Sequence, residues 1–241
     1  MQRKKAEKNV LLFIVEGEND VAALAAPLEN LHKAYSAEGE IKFGFTRGDI
    51  TTKKAMTFKG LRDKIAKYIR DYCVDENINT ADICEIVLLL DMDGAYIPDD
   101  AIVQDDTYIE DPFYGESSIS YFDPEKVRTP HICKRHNLDI LIEVKDVMGG
   151  KPFSVYYVSC NFEHVASHNA NMTDREKSRA ADVFAHRFAE DADSFCSFFR
   201  APSLTLGKTF QESWDAIRRG LNSLHRHSNL NIFFDKNYPD A

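Results

Sequence analysis

The chain has 241 residues, of which 44% are hydrophobic and 29% charged, and its formal net charge is -9. A globular chain of this length buries roughly 70–75% of the surface that its unfolded form exposes, so one large domain, or one domain with a modest appendage, is expected. The negative charge argues against a protein that holds nucleic acid by bulk electrostatic attraction, because neutralising phosphates requires clustered lysine and arginine.

No apolar run approaches the about 18–20 residues that cross a bilayer, and the basic start MQRKKAEKN leads into only a short apolar run before Glu16. Neither a membrane span nor a signal peptide is therefore expected. The five cysteines are odd in number and scattered without a CxxC pair, which indicates reduced thiols rather than a disulfide frame or a zinc knuckle. We expect a cytoplasmic protein with no membrane partner.

The first 91 residues alternate between apolar strands and amphipathic helices. The pattern predicts strands over VLLFIV (10–15), IKFGFT (41–46) and EIVLLLD (85–91), with helices over about 20–35 and from Phe58 onward. Continuous apolar strands that alternate with helices are typical of a parallel sheet covered on both faces. Ligands of such sheets bind beyond the carboxyl ends of the strands.

The second half of the chain is less regular. Residues 95–130 are acidic and rich in turns, which predicts an irregular insertion that acts as a lid or a docking loop. A helix is expected over 136–148, ended by Gly149 and Gly150, and a fourth strand over 153–159. Residues 171–241 are expected to be mainly helical, as a C-terminal extension of a domain formed by residues 1–170.

Three carboxylates follow the predicted strands and should meet at one edge of the sheet. Glu16 follows the first strand, and Asp91 and Asp93 end the third. Crowded carboxylates raise one another's pKa and oppose folding unless a cation neutralises them. Oxygen ligands of this kind suit Mg²⁺ or Mn²⁺. Because Asp91 and Asp93 are two residues apart, their side chains would share a face in an extended chain.

A simpler interpretation exists for each acidic residue alone. A carboxylate at a strand end is often a solvated turn or a helix N-cap, and Asp20 fits the N-cap of the first helix. The combination is more specific, since one apolar strand precedes EGxxD and another precedes DxDG. We therefore favour a metal site that includes Glu16, Asp91 and Asp93.

These residues resemble a known family. VEGENDVAAL (15–24) and LLLDMDG (88–94) closely resemble the two signature motifs of TOPRIM domains, which occur in topoisomerases, bacterial primases and several nuclease groups. The resemblance implies an α/β fold in which helices enclose a parallel sheet. It also implies that Glu16 acts as acid or base and that Asp91 and Asp93 bind Mg²⁺.

A third segment narrows the resemblance. YYVSCNFEHVASH (156–168) resembles the strand-to-helix segment of RloB-like proteins, although it lacks their proline and differs in order around Cys160 and Asn161. This implies Glu163 as a further metal ligand. RloB-like and OLD-type proteins resemble antiphage nucleases, which implies an effector of bacterial defence that works with a partner ATPase.

The implied reaction is metal-dependent cleavage of phosphodiester bonds in DNA or RNA, including tRNA. Substrate backbone contacts are expected from Lys59, Arg62 and Lys67, on the cationic face of the second helix, and from His168. His164 and His168 stand four residues apart, a spacing that also occurs in metal sites, but a pair of surface histidines is the commoner explanation.

Two other functions stay open. Haloacid-dehalogenase phosphatases also have a strand ending in DxDG, whose first aspartate attacks phosphorus, but they normally open the chain with this motif. The other alternative is a non-catalytic TOPRIM module that binds a partner or nucleic acid without cutting. The sequence also leaves open whether the protein forms a homo-oligomer.

Overall fold

The computed structural model describes residues 9–36, 39–46 and 50–241. The strands within these ranges are β1 Val10–Val15, β2 Glu40–Phe45, β3 Ile83–Asp91, β4 Ile102–Gln104, β5 Phe113–Tyr114, β6 Ile119–Tyr121, β7 Asp146–Val147, β8 Lys151–Ser159 and β9 His227–Ser228. The α-helices are α1 Glu18–Tyr35, α2 Phe58–Asp75, α3 Glu125–Leu141, α4 Phe162–Ser167, α5 Asp174–Phe188, α6 Ala192–Phe199, α7 Phe210–Ile217 and α8 Leu230–Asn237.

The main sheet is mixed and mostly parallel, as the apolar strands predict. Its order is β2-β1-β3-β8-β7, and β9 pairs with β8. β1 runs parallel to β2 and β3, and β3 runs parallel to β8, whereas β7 and β9 are antiparallel to β8. The α/β class is confirmed. Because Ile14 of β1 stands opposite Leu88 of β3, the carboxyl ends of these two strands meet at one edge.

Alternating side chains of the sheet divide the core into two layers. Leu11, Phe13 and Val15 face one hydrophobic cluster, and Leu12 and Ile14 face the other. The first cluster is covered by α1, α5, α6 and α8, and the second by α2, α3 and α7. Helices beyond residue 171 therefore cover both faces of the sheet. A separable domain over residues 1–170 stays a prediction.

Residues 95–130 are more ordered than expected. They contain a small sheet of order β4-β6-β5 and the start of α3. The strands have only two or three residues, too few for an alternating pattern to reveal them. Gly94 leads into this region with φ +70, and a Cβ there would lie 2.7 Å from Ile119 Cδ1. The left-handed backbone of this turn favours glycine, and any side chain here would require Ile119 to move.

The helix expected over 136–148 is wrong in position, since α3 spans Glu125–Leu141. The predicted helix ends at Gly149 and Gly150, whereas these glycines have positive φ in the turn between β7 and β8.

Within the described ranges, no helix combines the length and apolar character needed to cross a membrane.

Candidate acidic site

Glu16 and Asp91 are carried to one place by the parallel pairing of β1 and β3. Asp91 is the last residue of β3 and lies on the α1 side, as do Leu89 and Val87, two and four residues earlier. Its Oδ1 accepts a hydrogen bond of 3.1 Å from the backbone N–H of Phe162, the first residue of α4. Glu16 follows β1 directly, and its side chain is 11% exposed.

The pKa of Asp91 depends on the other carboxylates that lie near it at this edge of the sheet. Its pKa is raised well above the ordinary value, first by burial and then by four carboxylates: Asp20, Glu16, Asp93 and Glu163. Each of these groups must lie near enough to oppose the ionised form of Asp91. The structure thus places the predicted Glu16, Asp93 and Glu163 near enough to Asp91 to affect its pKa.

Asp20 is an additional member that the sequence assigned only to helix capping. The N-cap of α1 is Gly17 rather than Asp20, which lies in the first turn and accepts a 3.0 Å hydrogen bond from the Gly17 N–H. The pKa of Asp20 is raised to about 7, first by burial and then by the nearby Glu163 carboxylate, against lowering contributions from the Gly17 N–H and from Lys177. Asp20 therefore contributes a carboxylate to the site in addition to its hydrogen bond with Gly17.

Asp93 does not extend β3, so the expectation that it shares a strand face with Asp91 is wrong. The backbone of Asp93 is left-handed, with φ 49, and its N–H donates to the Cys160 carbonyl at 2.8 Å. The strand has ended and the chain has begun to turn. Both aspartates nevertheless line the same cavity.

Lys134 is a second residue of the candidate site that the sequence does not predict. Its side chain is fully buried, and its Nζ donates to Asp93 Oδ2 at 2.7 Å and lies 4.0 Å from Glu16 Oε1. The two oxygens are therefore within about 7 Å of each other, the sum of these distances. Lys134 belongs to the buried stripe of α3. A correctly placed helix would have revealed a lysine among apolar positions.

Two further buried groups lie near Asp93. Burial lowers the pKa of His131, one turn before Lys134 on α3, to about 4, so the imidazole is neutral. Burial also raises the pKa of the Tyr114 hydroxyl well above its ordinary value, with Asp93 as the next cause. Both groups are thus neutral near pH 7, and Lys134 is the cation that contacts Asp93.

A cavity of about 580 Å³ opens beside the aspartates. Asp91 and Asp93 line it together with aromatic side chains of the 95–130 region and with Lys177 at the start of α5. A larger cavity of about 860 Å³ lies at the opposite edge of the sheet, near Val10 and Asp82. We assign the site to the smaller cavity because ligands of parallel sheets bind at the carboxyl edge.

The predicted substrate-binding residues lie elsewhere. Lys59 is exposed on α2, Arg62 pairs with Asp146, and Lys67 pairs with Asp71 one turn along the helix. His168 follows α4 and lines a second cavity of about 260 Å³ with His164 and Arg226, which adjoins the acidic cavity at Tyr114, Ala170 and Asn171. These four residues are not among those that line the acidic cavity in the described part of the chain. Their role in substrate binding stays a prediction.

We use the name acidic edge for the carboxyl edge of the sheet that carries Glu16, Asp91 and Asp93. The chemistry of these carboxylates suits a magnesium ion, but their arrangement suits it less well. Carboxylate oxygens are the ligands that Mg²⁺ prefers, and the pKa of Asp91 is raised by its burial and by the neighbouring negative charges. Over residues 9–36, 39–46 and 50–241, however, no three His, Cys, Asp or Glu side chains are grouped as a metal-binding set. Side-chain rotation, in particular around the Asp93–Lys134 pair, would have to bring the oxygens closer together.

Comparison with known proteins gives no relative for this chain: no family model, no curated protein and no solved structure matches it.

Proposed function

We propose that this protein is a Mg²⁺-dependent nuclease of the TOPRIM type, which hydrolyses phosphodiester bonds in DNA or RNA. The observation that supports this best is the meeting of Glu16, Asp91 and Asp93 at the carboxyl edge of a mostly parallel sheet, with Asp20 and Glu163 beside them. So many carboxylates oppose folding, and a cation-dependent reaction is a reason for a protein to keep them.

Each residue can be given a role. Glu16, Asp91, Asp93 and Glu163 would hold the ion, which when bound would polarise the phosphate and lower the pKa of a water molecule. Glu16 is held within 4.0 Å of the Lys134 ammonium, where its carboxylate can accept or return a proton. Lys134 supplies a fixed positive charge that would stabilise negative charge developing on the phosphate.

A role in antiphage defence with a partner ATPase belongs to the same proposal and is supported by the motif resemblance alone. An effector of this kind would be inactive until its partner releases it. Activity assays therefore need both the protein alone and the protein co-expressed with a neighbouring ATPase.

The decisive experiment incubates the purified protein with labelled DNA and tRNA in Mg²⁺, Mn²⁺ or EDTA. Glu16→Gln and Asp91→Asn should each reduce cleavage at least about a hundredfold, the usual minimum for losing an acid–base group or a metal ligand. Asp182→Asn, at an exposed carboxylate of α5, is the matched control and should cleave normally. Cleavage that survives both site substitutions would remove the catalytic claim.

A non-catalytic binding module is the second candidate, and the Lys134–Asp93 pair favours it because a protein cation already occupies the acidic edge. Nucleic-acid binding without cleavage, with and without the ATPase, would support this candidate. The phosphatase alternative requires Asp91 as an ionised nucleophile, which its raised pKa opposes. Phosphate release from small phosphomonoesters, lost on Asp91→Asn, would revive it.

A further inference from the structure

Two aromatic rings form part of the wall of the acidic cavity. Tyr108 and Phe113 are stacked, with ring centroids 4.8 Å apart and planes inclined by 15°. Both line the cavity that contains Asp91 and Asp93. Phe113 keeps 37% of its surface exposed, although a large apolar side chain next to a cavity is more stable when covered.

The ring pair is held in place by backbone hydrogen bonds on both sides. The Tyr108 carbonyl accepts from the Phe122 N–H at 2.9 Å. Next to Phe113, the side-chain amide of Asn171 accepts from the Tyr114 N–H at 2.8 Å and donates to the Tyr114 carbonyl at 2.9 Å. A flat ligand stacking here would meet a surface that is already ordered, so little conformational entropy would be lost on binding.

We propose that Tyr108 and Phe113 form a stacking platform for an unpaired nucleobase, so that the site selects single-stranded or unstacked nucleic acid. This inference rests on the proposed function and narrows its substrate class. Every nucleobase has a flat π-face that can extend a stack of aromatic rings. Bases inside a duplex have both faces covered by neighbouring bases and cannot lie on the platform without leaving the helix.

The charges around the platform set a condition on binding. Asp91, Asp93, Asp111 and Asp174 line the cavity, against the single cation Lys177 among its described lining residues. An uncharged base can approach the rings, but the phosphate that follows it meets this negative charge. Binding of a nucleotide is therefore expected to require a divalent cation. The cavity volume of about 580 Å³ lies within the usual range of small-ligand sites.

The test uses a short single-stranded oligonucleotide containing 2-aminopurine, whose fluorescence is quenched when the base stacks. In Mg²⁺, the protein should quench the probe in the first moments after mixing, before cleavage has consumed the strand. Phe113→Ala and Phe113→Leu should each weaken binding about tenfold or more, within the range measured for loss of one base–aromatic stack. Phe113→Trp should restore both quenching and affinity, since it restores a ring.

Phe122→Ala is the matched control, because Phe122 is 47% exposed in the same region and is not among the described residues that line the cavity. It should bind as the unmodified chain does. Quenching that is equal in Phe113→Ala and the unmodified chain, or equal affinity for a blunt duplex and a single strand, would overturn the platform. Quenching without cleavage in any ion, both with and without the co-expressed ATPase, would leave the platform standing and remove the nuclease. Cleavage that is unchanged by Phe113→Ala would leave the nuclease standing and remove the platform.

Discussion

The acidic edge has two halves that deal with the same excess of negative charge in different ways. On the α3 side, the ammonium of Lys134 bonds to Asp93 and lies near Glu16. On the α1 side, the half-buried Asp91 and the buried Asp20 lie among carboxylates and have raised pKa values. One half is paired with a protein cation, and in the other the raised pKa values favour the protonated carboxyl groups. A divalent ion should therefore bind most favourably at the Asp91 half of the edge.

The largest expected effect comes from removing the protein cation. Lys134→Met should lower the free energy of unfolding at pH 8 by about 2–4 kcal/mol, because it leaves Asp93 and Glu16 without their ammonium. For a chain of this size the melting temperature should fall by roughly 5–15 °C. Urea unfolding with and without Mg²⁺ measures the change, and added Mg²⁺ should recover part of it.

Lys236→Met is the control for this prediction, because Lys236 pairs with Glu85 at 2.6 Å but is 55% exposed. Its loss should change the free energy of unfolding by at most about 1 kcal/mol. Similar losses for both lysines would mean that burial of Lys134 carries no special weight.

The second prediction concerns the protonated half, where removing charge should stabilise the protein. Asp91→Asn and Asp20→Asn should each raise the free energy of unfolding at pH 8 by about 1 kcal/mol or more, since one pKa unit corresponds to about 1.4 kcal/mol. Asn Oδ1 can still accept from the Phe162 or Gly17 N–H. Asp93→Asn should have the opposite sign, because it weakens the partner of Lys134.

The pH dependence follows from the direction of the shifts. The folded-state pKa of Asp20 is about 7, above the ordinary aspartate value of 3.8, so the folded protein holds the proton more tightly. The resulting stabilisation is complete below about pH 4 and is lost as the pH rises through 7. The advantage of Asp20→Asn over the unmodified chain should therefore shrink on acidification from pH 8 to pH 4. A constant advantage would contradict the assigned cause.

The smallest expected effect is the response to the ion itself. Mg²⁺ should raise the melting temperature by a few degrees at pH 8, and by less at pH 5, where protons compete for Asp91 and Asp20. Differential scanning fluorimetry in MgCl₂, against NaCl at matched ionic strength, measures it. Asp91→Asn should reduce the response more than Asp182→Asn does. Equal responses in the two variants would place the ion away from β3.

The features of the fold and site that the sequence predicts have a different physical basis from those that it does not predict. Strands β1, β3 and β8 are long apolar runs, so their parallel pairing and the meeting of Glu16 with Asp91 followed directly. The sequence does not place Lys134 at the site because the paired glycines at 149–150 indicate a helix over 136–148. The helix in fact begins at Glu125, so Lys134 lies within it. The membership of Asp20 depends on burial between α1 and its neighbours, which local spacing does not reveal.

The aromatic platform could not be predicted for a related reason. Tyr108 and Phe113 meet because a strand of only two residues pairs Phe113 with Ser120. The Asn171 clamp on Tyr114 then joins positions 57 apart in the chain. Neither contact leaves a periodic signal, and the aromatic residues of this segment indicated only that it was unlike a plain linker.

The packing of the last three helices on the sheet has a practical consequence for dissecting this protein. Phe195, Phe199 and Phe234 are fully buried in the same cluster as Phe13 and Leu24. A polypeptide truncated at residue 170 would bare this aromatic layer to water, and aggregation would be the expected fate of such a fragment. Loss of activity on truncation would then report a collapsed scaffold, so point substitutions in the whole chain are the informative route to its chemistry.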